Sequence, residues 1–424
     1  MMKLPFSATT RVLVALATAA VIGLFLAWMV PETGARVAAI AQPIGKLWLN
    51  ALQMTVVPLV GTLVVLGVSA ARDAASSGRI ARRAIIIFLI VLTCAATFAA
   101  IAAPAFLSLM PHSPELMEAL KGAAGTPTDV VPPKAADWLT GIIPSNAIAA
   151  AAASAMLPLV VFSLFFGFAL TKIEAHRHER LMELVQAIAD VMIVIVRWVL
   201  AVAPIGVFAL VLAVTAQAGA ATLQALGIYI AMLCVLYLVA TAILYPVVRL
   251  WTGRSLSNFA SSIFPAQAVA MSTQSSLASL PAMIEVSDRK LGIPLPTVSL
   301  VLPMAVSLFR LTSPIQYIGV ASFVAWAYGI DIGPLQWATA VVLAVVVSLG
   351  SVGLPGQVSF MATNMPVTQA LGLPVEPLGL LLAVDTIPDV FATLGNVTAD
   401  VSATAMVEGR QGDTARLASA DERV

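Results

Sequence analysis

The chain has 424 residues, of which 60% are apolar and only 10% charged, and its mean hydropathy is +0.99. Apolar runs longer than the roughly 20 residues that cross a bilayer exclude a water-soluble protein and imply a polytopic helical membrane protein. A formal net charge of +1, with no basic stripe interleaved with aromatics, excludes nucleic acid as a partner.

The first apolar stretch, 12–30, is too long for a signal h-region and lacks a small-x-small cleavage site before the next span, so a retained helix is expected there. Hydropathy places further crossings at 38–70, 82–110, 140–171, 184–217 and 225–250. Cys94 and Cys234 fall inside apolar segments, where packing is the expectation rather than a disulfide or a metal pair. The segment 111–139, with His112, Glu115, Glu118, Pro127, Pro132 and Pro133, is the one long polar insertion and reads as a solvated external loop. Basic residues fall in alternate connections: Arg72, Arg79, Arg82 and Arg83, then Lys172, Arg177 and Arg180, then Arg249 and Arg254. By the positive-inside rule the N-terminus is cytoplasmic.

Beyond 257 the pattern changes to a hairpin at 258–289, a span at 293–327, a second hairpin at 336–371 and a last span at 377–406. Runs of small residues ending near proline interrupt both hairpins, Ser272 to Pro281 in the first and Ser348 to Gln357 in the second. Backbone that leaves the helix at membrane depth survives only where protein or a water-filled cavity satisfies it, so paired breaks point to a solute site near the midplane. The first hairpin lies between Arg254 and Asp288, Arg289 and Lys290, which puts both its ends in the cytoplasm. The second is flanked by sparsely charged loops and enters from the opposite face, leaving a cytoplasmic C-terminal tail. The expected fold is all-α and polytopic: eight transmembrane helices with two re-entrant helical hairpins in an inverted repeat. Residues 1–257 form six N-terminal helices, 258–408 a hairpin-helix-hairpin-helix transport core, and 409–424 a polar tail.

The last span carries Asp385, Asp389, Thr393, Asn396 and Asp400. At about 100° per residue these five fall within an arc of about 80°, so they share one helical stripe. A charge at the bilayer centre costs about 2.5–3.5 kcal/mol on insertion scales. The stripe therefore faces a solute and ion site or a structural polar seam, with Asp385, nearest the membrane edge, the structural member. In the preceding span Phe309-Arg310-Leu311-Thr312-Ser313-Pro314 interrupts an apolar run. Arg310 stays protonated and needs an anionic partner, either an Asp of the last span or the carboxylate of a substrate. The hairpin residues Ser275, Ser276, Gly353 and Gly356 either permit close packing or, with exposed N–H groups, favour an anionic group.

At these residues the chain resembles the glutamate-transporter family, the dicarboxylate/amino-acid:cation symporters. Gln42-Pro43-Ile44-Gly45 through Pro58-Leu59-Val60, and Ala203-Pro204-Ile205-Gly206-Val207-Phe208-Ala209, are similar to that family's second and fifth spans. The Ser-rich first tip, the S-x-G-x-x-G-x-P-G of the second and the D-x-x-x-D…T-x-x-N-x-x-x-D stripe complete the likeness. The resemblance implies a trimeric, elevator-type transporter of a plasma (inner) membrane that takes up a small carboxylate solute with sodium ions or protons. It makes Ser275, Ser276, Asp389, Thr393 and Asn396 substrate contacts, and Val352, Gly353, Pro355 and Gly356 the movable tip of a gate; Arg310 and Ser313, in the interrupted run, are further candidate contacts read from the residues themselves. It assigns Asn396 and Asp400 to one sodium site, and Ser348, Leu349 and Ser351 to a second built largely from backbone carbonyls.

The family's N-M-D-G-T signature is here Phe309 to Ser313, which loses an amide and a carboxylate and gains a cation. Polar ligands expected in the third span are replaced by Phe88, Val91 and Leu92, so one sodium site is dismantled from both sides. The family's arginine for a side-chain carboxylate is Ala392, and the hairpin position that supplies one instead is Gln274.

A symporter is the expectation and a channel of the same architecture the alternative, since occluding hairpins suit alternating access better than an open pore. No cofactor and no enzymatic activity are expected. His112, His176 and His178 all fall in connecting loops, and Asp389 and Asp400 lie roughly 16 Å apart along one helix at about 1.5 Å per residue, which suits neither a serine–histidine nor an aspartyl dyad. The solute is an amino acid by the presence of Asp389, and a dicarboxylate is open because Arg310 can take over the missing clamp.

Overall fold

The computed structural model describes residues 8–76, 78–110, 142–350 and 356–409, and all regular secondary structure among them is helical. The insertion at 111–139, the tail beyond Gly409, and Ser351, Val352, Gly353 and Pro355 of the second hairpin lie outside the described residues. The N-terminal part comprises α1 (Ala8–Met29), α2 (Pro31–Gln53), α3 (Val56–Ser76), α4 (Arg79–Leu107), α5 (Ala147–Ala152), α6 (Met156–Leu170), α7 (Ala175–Ala201), α8 (Ala203–Ala218) and α9 (Ala220–Thr252). There follow α10 (Leu256–Thr273), α11 (Ser276–Glu285), α12 (Leu295–Leu308), α13 (Thr312–Tyr328), α14 (Pro334–Gly350), α15 (Gly356–Ala370), α16 (Leu378–Val384) and α17 (Thr386–Glu408).

Seven helical stretches among the described residues are long and apolar enough to cross a membrane. Two of them, Pro31–Asp73 and Leu295–Tyr328, contain an internal break. The segment expected as a crossing at 140–171 forms only α5 and the 15-residue α6, and the one expected at 184–217 is divided at Val202 into α7 and α8.

Proline explains where the breaks fall. Pro58, Pro204, Pro314 and Pro388 each stand in the first turn of the helix that restarts after one. A proline ring clashes with the carbonyl four residues earlier and removes one intrahelical donor, so the chain leaves the helix just before it and re-enters with proline where no donor is needed. For Pro314 that earlier residue is Arg310, and for Pro388 it is Val384, next to Asp385.

Lipid tails are as apolar as leucine, so helix association in a bilayer rests on close packing. Gly206 of α8 lets the Trp48 ring of α2 lie directly on the backbone, with no room for a Cβ, and Trp48 Nε1 donates to the Val199 carbonyl at 3.1 Å. In this way α1, α2 and α8 pack as one group, while α3 packs on α6, α7 and α14. Helix α17 is the centre of the rest of the molecule: α4, α9, α10, α11, α12 and α13 all pack on it, and every residue from Gly395 to Glu408 is buried. A separate apolar core joins Phe259, Ile263 and Met283 of the first hairpin to Val298 of α12 and Val397 and Val401 of α17.

Candidate functional site

The polar stripe lies on α17 and at the joint before it. Asp385 occupies the joint between α16 and α17, so four of the five stripe residues, not five, belong to the long helix. Asp385 is 1% exposed and has partners within the protein: Gln316 Nε2 donates to its two oxygens at 2.8 and 3.0 Å, and the Tyr229 hydroxyl reaches Oδ1 at 3.4 Å. Its bonds tie α17 to α13 and α9.

The break between α12 and α13 faces the stripe. Phe309 is extended, at φ −121° and ψ 99°, and the helix resumes at Thr312. The Thr312 N–H and hydroxyl both donate to Asn396 Oδ1, at 3.0 and 2.9 Å, and the same hydroxyl lies 3.3 Å from the Ala392 carbonyl. The oxygen of the Asn396 carboxamide thus satisfies a backbone donor exposed by the break. Gly395 makes the approach possible, since a Cβ there would come within 2.7 Å of Thr312 Cγ2 and 2.9 Å of Thr241 Oγ1. Ser313, next along α13, is buried and donates its N–H to the Arg310 carbonyl at 3.0 Å.

Arg310 is half-buried in the break and is the cation acting electrostatically on both Asp389 and Asp400. Those two carboxylates stand in different surroundings. Asp389, in the first turn of α17, is half-buried, and its carbonyl accepts from the Thr393 hydroxyl at 2.9 Å. Asp400 has no exposure, and neither of its side-chain oxygens has a hydrogen-bond donor among the described residues. A buried carboxylate without compensation costs several kcal/mol, so Asp400 needs either a positive charge beside it or a proton of its own.

Both arms of the first hairpin pack on the same helix. Helix α10 ends with Gln274 in the left-handed conformation at φ 52°, and Ser275 turns extended and caps α11, its Oγ accepting from the Ala278 N–H at 3.2 Å. Ser276 opens α11 and is half-buried. Deeper in the hairpin, Gln267 Nε2 donates to Thr398 Oγ1 of α17 at 2.8 Å and to the Tyr245 hydroxyl of α9 at 2.9 Å. Of the second hairpin, Ser348 is buried on α14, Leu349 follows it, and Gly356 opens α15.

Gln267, Thr398, Gln316 and Thr312 were not among the residues expected to build the site. Gln267 and Gln316 stand nearly alone among apolar residues, which is a signal that could have found them, whereas Thr312 lies in the run interrupted by Arg310 and Ser313, and Thr398 lies between Asn396 and Asp400.

The positions expected to have lost their ion ligands are neighbours in space. The Phe88 and Phe309 rings stack with centroids 4.7 Å apart and planes 10° from parallel, both at most 1% exposed. Leu92 and Leu311 are buried in the same core, and Val91 and Leu311 line one apolar crevice. These five side chains offer no oxygen to a bare cation.

Residues 9–410 match the Sodium:dicarboxylate symporter family. The chain belongs to that family. Relatives in the family include the proton/glutamate-aspartate symporter of Escherichia coli K12, 27% identical over 96% of this chain and 93% of the relative. The proton/sodium-glutamate symport protein of Bacillus caldotenax is 29% identical over 85% of this chain and 86% of its own length. C4-dicarboxylate transport protein 2 of Bradyrhizobium sp. strain ORS 278 is 26% identical over 93% and 87% respectively. Within the symporter family, then, this chain is similar to proteins named for amino acids and to proteins named for diacids.

Proposed function

We propose that the protein is a secondary active symporter that carries a small carboxylate, an acidic amino acid or a C4 dicarboxylate, into the cell, and that the coupling cation is the proton. Family membership and the relatives' names support carboxylate symport. The observation that carries the choice of cation is Arg310, the guanidinium that acts on both Asp389 and Asp400 beside the Phe88–Phe309 stack.

A guanidinium stays charged under all working conditions. It offers a fixed positive charge to buried Asp400, at a place where the side chains of the stacked rings and Leu311 supply no ligands for sodium. The half-buried Asp389 is the group that meets the solute: the ammonium of an amino acid pairs with it directly, and with a dicarboxylate a proton on Asp389 fills the same role. The solute carboxylate is held by the tips of the two hairpins, through Ser275, Ser276 and the Val352 to Gly356 segment. The hairpins gate the site in turn, and α1, α2 and α8 serve as the scaffold against which the core moves.

A second reading is favoured by the half-buried position of Arg310, which is within reach of a solute: the guanidinium binds the distal carboxylate of a diacid. Substitution Arg310→Ala separates the two. As counter-cation, its loss abolishes uptake of every solute alike, whereas as a diacid clamp its loss shifts preference towards neutral amino acids with the ion dependence unchanged.

A further inference from the structure

Between α4 and α9 a groove opens whose floor is Leu311, just before α13, and Met406 of α17. Its apolar part, about 200 Å³, is lined by Ile87, Val91, Cys94, Phe98, Ile243 and Val247 among others and contains no charged side chain. Its other part, about 300 Å³, shares Ile87, Ile90 and Trp251 with the first and is lined by Arg79, Arg82 and Arg83. No acidic side chain lines either part among the described residues. The faces flanking the groove are exposed apolar surface, with Ile86 at 51%, Ile90 at 54% and Ile243 at 46%, as expected of helices that meet lipid.

Three guanidiniums at one end and a dry crevice at the other match an amphiphile with an anionic head. The dimensions match as well. Ile87 to Phe98 spans roughly 16 Å along α4 at about 1.5 Å per residue, and half the hydrocarbon core of a bilayer is about 15 Å thick. The arginines occupy the first turns of α4 and so stand at headgroup depth when the crevice lies within one leaflet. The groove is also fixed to the transport core, because Arg83 Nη2 at 3.5 Å and Trp251 Nε1 at 3.1 Å both donate to the Met406 carbonyl of α17.

We infer that this groove is a binding site for one anionic phospholipid, its phosphate held by Arg79, Arg82 and Arg83 and one acyl chain laid between α4 and α9. Basic pockets between helices recognise anionic headgroups through charge, and the acyl chain makes the occupant a lipid rather than a free anion. By bridging α4, α9 and α17, the lipid braces the helix that carries Asp389 and Asp400.

Native mass spectrometry of the full chain in mild detergent, titrated with phosphatidylglycerol, phosphatidylcholine of the same chains, or inorganic phosphate, tests the site. Wild type retains phosphatidylglycerol in preference to phosphatidylcholine, and inorganic phosphate does not displace it. Replacing the three arginines with glutamine weakens retention by about five-fold per charge removed. Cys94→Trp, which fills the crevice at an exposed position and leaves the arginines in place, weakens it without reference to how the triple variant folds. Equal retention of the two lipids, full displacement by inorganic phosphate, or wild-type retention by Cys94→Trp overturns the site.

Discussion

Thr312 and Asn396 join the two halves of the site, and one glycine permits it. Because a Cβ at Gly395 would meet Thr312 Cγ2 at 2.7 Å and Thr241 Oγ1 at 2.9 Å, Gly395→Ala must push α13 and α9 away from α17. The cost of such overpacking is about 1–3 kcal/mol. A lower midpoint of thermal unfolding in detergent is expected, with partial recovery in Gly395→Ala/Thr312→Ser, which removes the clashing methyl; an unchanged midpoint in the single variant would show that the helices are not in contact there. Asp389 is the half-buried carboxylate of the stripe and, among the described residues, has none of the side-chain hydrogen bonds that commit Asp385. Asp389→Asn should weaken solute binding about 100-fold, the loss of a charge-assisted contact, while leaving the amount of folded protein unchanged, and wild-type affinity for every solute would rule Asp389 out as the contact. The sequence alone singled out Asp389, Asn396 and Asp400 by their spacing. It did not show that Asn396 spends its oxygen on Thr312, because that bond joins residues 84 positions apart.

At the scale of elements, the breaks in helices decide what the protein can do. The interruptions at Gln274 and at Arg310 were legible because small, polar and charged residues interrupt apolar runs there. Those at Thr55, Val202 and Asp385 were not, although a proline follows each closely. The reason is that Pro43, Pro104, Pro246, Pro265, Pro281, Pro303 and Pro366 lie inside continuous helices. Neighbouring helices and local adjustments re-satisfy the backbone at those sites, so proline by itself does not announce a break. The second hairpin resembles the first in having two short helical arms, α14 and α15, that pack on each other and on α13. As the proposed external gate, its tip should move with occupancy. Cysteine introduced by Val352→Cys should react with an impermeant external reagent and be protected by saturating solute, and equal labelling in both conditions would remove the second hairpin from the gating role.

For the whole molecule, composition alone established a helical membrane protein, and the last helix shows why such a protein tolerates so much polarity in one place. Helices α4, α9, α10, α11, α12 and α13 surround α17, so Asp400 lies wholly within the protein. What hydropathy could not provide was the number of full crossings, since α6 is 15 residues long and α7 and α8 divide what reads as one apolar run. The guanidinium in the core leads to the central claim, that Arg310 stands where a coupling sodium would otherwise be needed. The most direct measurement is uptake of labelled glutamate, aspartate and C4 dicarboxylates by the purified protein in proteoliposomes, with proton and sodium gradients imposed separately. Accumulation driven by an inward proton gradient, with little or no response to sodium, is the predicted result. Uptake that requires sodium and rises steeply with more than one sodium ion per solute would contradict it.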